Sequence, residues 1–62
     1  MSIDERIDIE IQRGDGTWMK IANTENSPQL IAVRLNGAQQ QYPGKRVRAV
    51  NSKTGAVVDI RN

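Results

Sequence analysis

Apolar and polar residues alternate strictly in RIDIEIQ, residues 6 to 12, with Ile7, Ile9 and Ile11 on one face and Asp8, Glu10 and Gln12 on the other. That period of two predicts a half-buried β-strand. RGDGTW then reads as a tight hairpin, whose loop length decides the register. A two-residue Asp15-Gly16 turn would set Ile11 opposite Lys20. A three-residue loop of Gly14, Asp15 and Gly16, with Gly16 in the left-handed region, pairs Ile11 with Met19 and Ile9 with Ile21. The second register keeps the apolar residues together; on the outer face it sets Glu10 opposite Lys20 and Gln12 opposite Trp18.

NTENSPQ reads as a polar connector ending in a helix start. Ser27 is placed to cap, and Pro28 at the first helical position forfeits no hydrogen bond. The helix is expected from Pro28 to about Gln41, with Ile31, Leu35, Ala38 and Tyr42 in one stripe and YPG as its stop. Gly37 inside it costs roughly 1 kcal/mol relative to Ala, and marks either close packing or a weak helix. RVRAV and AVVDIR predict two more strands, joined by a four-residue NSKTG loop closed by a left-handed Gly55. Aligning their apolar residues pairs Val47 with Ile60, Ala49 with Val58 and Val50 with Val57, and sets Arg48 opposite Asp59.

The predicted fold is α+β, one domain over residues 1 to 62. Its element order is β-β-α-β-β, a four-stranded sheet with one helix packed on one face. The expected core is Ile9, Ile11, Met19, Ile21, Ile31, Leu35, Ala38, Val47, Ala49, Val58 and Ile60. The arrangement expected is β-grasp, with spatial strand order 2-1-4-3 and the first and fourth strands parallel; in element order the chain resembles the immunoglobulin-binding domains of streptococcal protein G. No binding motif of that family is present, and no residue role carries over. Residues 27 to 60, SPQLIAVRLNGAQQQYPGKRVRAVNSKTGAVVDI, resemble small uncharacterised accessory proteins of bacteriophages and bacterial mobile elements. That resemblance implies a protein that works by binding a host macromolecule and implies no catalytic residue.

Composition narrows the chemistry. At 62 residues the chain is near the lower limit for a self-sufficient core. It contains no Cys and no His, which excludes disulfides, thiol and imidazole catalysis and the usual zinc or iron ligand sets. MSIDERIDIE is charged where a secretory leader would be basic and then apolar, and no apolar run approaches the roughly 20 residues of a membrane span. The expectation is a soluble cytoplasmic protein with no membrane contact and no cofactor or metal. Net charge is +2. It is unevenly spread: residues 1 to 26 hold six acids and three bases, whereas residues 27 to 62 hold one acid and six bases.

Candidate sites follow from that distribution. Asp4, Asp8, Glu10, Asp15 and Asp59 could supply carboxylates for hydrolysis or a divalent ion, but alternation puts Asp8 and Glu10 on an open strand face, where solvated charge suffices as an explanation. GDG lacks the further residues of a phosphate or calcium loop. Lys45, Arg46, Arg48 and Lys53 form a basic C-terminal hairpin, the candidate nucleic-acid surface. Against it stand the acids sharing that face and the shortage of stacking aromatics. Trp18 is directed away from the helix, with Lys20, Val50 and Val57 on the same outer face; it either packs sideways on Gln12 and Lys20 or anchors an interaction patch. Leu30 and Val33 lie about 100° from the core stripe, bordering the sheet or open to contact.

The function expected is that of a small non-enzymatic binding protein, a regulator or inhibitor of another protein, contacting it through Trp18, Lys20, Val50, Val57, Leu30 and Val33. The alternatives are a nucleic-acid-binding module using the basic hairpin and a homo-oligomeric structural component, for example a homodimer. The chain is expected to fold without metal, so dialysis against EDTA should leave its circular dichroism unchanged. Loss of structure would count against that expectation.

Overall fold

The structure, a computed structural model, describes residues 5–61. It contains β1 (Arg6–Gln12), β2 (Trp18–Glu25), α1 (Pro28–Gln41), β3 (Val47–Asn51) and β4 (Val57–Arg61). All four strands form one antiparallel sheet in the order β2-β1-β3-β4. The β-β-α-β-β order and the α+β class are those expected, but the strand order is not the expected β-grasp one: β3 rather than β4 lies beside β1, antiparallel to it. Burial explains the choice. The central position goes to the strand that can be covered on both faces, with Val47 and Ala49 buried under the helix and Val50 buried on the other side. β4, which carries Asp59 and Arg61, takes the edge, where charged residues are tolerated. β2 and β3 therefore run parallel on either side of β1, with α1 as the crossover between them.

The first hairpin closes as expected, with the Arg13 N–H donating to the Thr17 carbonyl at 2.7 Å and Gly16 at φ 90°, a conformation that favours glycine. The Asp15 carboxylate accepts from the Thr17 hydroxyl at 2.7 Å and from the Thr17 N–H at 3.0 Å. These bonds hold its pKa below the ordinary 3.8. Their stabilisation is complete above the ordinary carboxylate range and is lost as pH falls through the lowered value.

Pairing follows the expected register from Gln12–Trp18 to Glu10–Lys20 and then slips by one residue at a bulge, so that Ala22, not Ile21, opposes Ile9. Beyond the bulge β2 continues through Glu25, into residues expected to be connector. Thr24 is buried opposite Ile7, and Asn23 bridges Arg6 and Asp8 with hydrogen bonds of 2.7 and 3.0 Å.

The helix has the expected bounds. Ser27 occupies its N-cap position through backbone geometry, its carbonyl accepting from the Ile31 N–H at 2.9 Å, and makes no side-chain cap. At the other end Tyr42, Pro43, Gly44 and Lys45 form a turn closed by the Lys45 N–H to the Tyr42 carbonyl at 3.2 Å. Gly44 at φ 82° fits the third position of a type II turn.

Ile31, Leu35 and Ala38 meet Ile7, Ile9, Ile11, Val47 and Ala49 in the core, with Met19, Ile21, Ala22 and Tyr42 packed around them. Two residues expected in this core are outside it. Val58 is 46% exposed and Ile60 41%. The cause is a second register slip, in which Arg48 pairs with Ile60, Ala49 with Asp59 and Val47 with Arg61. The helix rests on β1, β2 and β3. β4 lies beyond the strands that carry the helix, so little burial fixes its phase. Arg61 takes the helix side instead, donating to Asn36 Oδ1 and Gln39 Oε1.

The helix yields a paired prediction. Leu35 is fully buried, and Leu35→Ala should cost about 2 to 5 kcal/mol. A Cβ at Gly37 would meet no atom within 4 Å, so close packing does not explain this glycine, and Gly37→Ala should stabilise by about 0.5 to 1 kcal/mol. Urea unfolding of both variants checks the pair.

Candidate interaction surface

Alternation sends Asp8, Glu10 and Gln12 of β1, Trp18, Lys20 and Asn23 of β2, Arg48 and Val50 of β3, and Val57 and Ile60 of β4 to the sheet face opposite the helix. Across the middle the order is Lys20, Glu10, Arg48, Ile60, one residue per strand. Arg48 Nε donates to Glu10 Oε1 at 2.7 Å, and its guanidinium lies 4.0 Å from the centroid of the Trp18 ring. Lys20 Nζ is 3.3 Å from Asp8 Oδ1. The carboxylate expected to pair with Arg48 was Asp59; Glu10 takes that place because β3 lies directly against β1.

The face divides in two. Over β1 and β2 it is polar and self-neutralised, and Trp18 is half-buried beneath Arg48 rather than standing open. Over β4 it is apolar and uncovered, with Val57 49% exposed beside Ile60. The expected contact residues are scattered by this arrangement. Val57 is open and Val50 is buried, while Lys20 is exposed but engaged with Asp8. Leu30 and Val33 of the helix are 37% and 60% exposed, and Val33 faces Ile21 and Ala22 of β2, at the opposite edge of the sheet from β4. Val33 and Gly37 border a shallow groove of about 300 Å³ with Ile21, Ala22 and Arg34. A second cleft of about 260 Å³ lies between the helix start and β4, lined by Asn26, Pro28, Ile31, Val58 and Asp59.

Neither cleft brings two titratable side chains together. Asp4 lies outside the described residues, and among those described no group of three or more carboxylates gathers as for a metal ion. The basic set is also divided. Lys45 and Arg46 precede β3 and Lys53 follows it, roughly 15 Å or more away along the strand, with Arg48 between them committed to Glu10 and Trp18. Among the described residues no helix is long and apolar enough to cross a membrane.

The residues that sequence reasoning missed are Val58 and Ile60. VVDIR offers an apolar residue to either face in either phase, so alternation alone could not choose. In comparisons with protein-family models, curated proteins and solved structures, no match to this chain was found.

Trp18 is the sole tryptophan, so its fluorescence reports the Arg48 stack directly. Arg48→Ala should raise acrylamide quenching and shift the emission to the red. Arg48→Lys, which keeps the charge without the planar guanidinium, should fall between. Unchanged quenching in Arg48→Ala would mean that the stack does not shield the ring.

Proposed function

We propose that this chain is a small non-enzymatic binding protein, a regulator or inhibitor that acts by occupying a protein surface with β4 and the adjoining outer sheet face. One observation carries the reading: three of the five residues of edge strand β4, Val57, Val58 and Ile60, are aliphatic and each is between 41% and 49% exposed. An apolar edge beside an unfilled ladder position is a surface on which another strand can be added. The polar half of the sheet face supports the same assignment, because its charges already satisfy one another.

The test compares immobilised wild-type chain with a Val57→Lys, Ile60→Lys double variant in extract of the source cell. Both substitutions are on exposed positions, so the variant should keep its circular dichroism and melting temperature. Wild type is expected to retain a protein stoichiometrically, and the variant to lose it. Equal retention by both would reject β4 as the contact. Nucleic acid held tightly at physiological salt would favour the basic hairpin instead.

A further inference from the structure

We infer that the strand completing this sheet is β4 of a second copy of the chain, antiparallel, with Ile60 opposite Ile60 across a two-fold axis. This rests on the assignment of β4 as the contact strand and names its occupant in the free protein, which a target protein would have to displace. Ladder geometry supplies the first argument. The Gln12 N–H bonds the Arg46 carbonyl and the Ser52 N–H bonds the Arg6 carbonyl, so even-numbered residues of β3 address β1. Val47, Ala49 and Asn51 therefore address β4, as the Asn51 N–H bond to the Ala56 carbonyl confirms. Their partners Asp59 and Arg61 point inward to β3, which leaves the backbone N–H and C=O of Ile60 facing the open edge. That N–H is occupied by the Asp59 carboxylate at 2.8 Å, a local bond standing where a ladder bond would be.

Charge supplies the second argument. With Ile60 facing Ile60, Asp59 of each copy lies opposite Arg61 of the other on the helix side, forming two ion pairs, while the two isoleucines meet on the outer face. Among the described residues neither Asp59 nor Arg61 belongs to an ion pair, since Arg61 is held only by the neutral amide oxygens of Asn36 and Gln39. Moving the axis to Asp59 would oppose two carboxylates. A register pairing Val57 with Ile60 would bring the two bulges together and leave both charges unmatched. On dimerisation the Ile60 N–H passes from Asp59 to the facing carbonyl, and Asp59 turns to the facing guanidinium.

Sedimentation equilibrium of the full chain up to about 1 mM tests this. Wild type is expected to show a reversible monomer–dimer equilibrium, and Ile60→Lys, which sets two ammonium groups face to face, to weaken it by at least about tenfold. Asp59→Arg and Arg61→Asp should each weaken it similarly when alone. Mixed in equal amounts they should associate again, because each Arg then faces an Asp. A chain that stays monomeric throughout overturns the inference; so does a dimer indifferent to Ile60→Lys, or one that the mixed variants fail to restore. Because Asp59→Arg alters a side chain not used in the core, it remains informative should Arg61→Asp unfold. If wild type is monomeric while the Val57, Ile60 variant still loses a captured protein, the occupant is wrong and the contact strand stands.

Discussion

One helix cannot cover four strands. A helix with its side chains is about 10 Å across, whereas four strands at their usual spacing span about 14 Å. The 14-residue helix is centred over β1 with β2 and β3 beside it, so the fourth strand is left without a roof. The rest of the molecule follows from that shortfall. Strands under the helix have their phase fixed by burial; the strand beyond it takes its phase from polar contacts and from the hairpin loop. The exposed aliphatic side chains lie where the cover ends.

The two bulges express the same division. In β2 the slip at Ile21 occurs within reach of the helix, and it keeps both Met19 and Ala22 directed to the core while carrying Thr24 under cover. In β4 the slip at Val58 has the opposite effect, moving Ile60 to the outer face and bringing Asp59 and Arg61 to the side where the helix displays Asn36 and Gln39. A bulge is thus a repair of the core in one edge strand and a departure from it in the other.

The sequence disclosed local structure well and long-range pairing poorly. The strict alternation of Ile7, Ile9 and Ile11, the loop glycines and the Ser27-Pro28 start each carry their own physical signal, and these elements lie where that signal put them. Strand order depends instead on which of two apolar strands is better buried on both faces. Val50 is buried on the outer side in the central strand and Val57 is open in the edge strand, yet nothing local in the sequence distinguishes the two. The candidate surface suffered most, because it was inferred from register. Trp18 is on the expected face, yet its partial shielding by Arg48 depends on the neighbour of β1, and Ile60 was hidden in a core it does not enter.

Placing β1 between β2 and β3 also sets the order in which the molecule can assemble. Each hairpin closes from near neighbours, but the pairing of Ile7 with Asn51 and of Ile11 with Val47 joins segments separated by most of the chain. Such pairings bear the entropy of a long loop before they return any stabilisation, and they govern how fast a small domain folds. The isoleucine face of β1 is therefore separated along the chain from its second neighbour by the whole of β2 and α1. The charged residues alternating with those isoleucines keep that strand in water until β3 arrives.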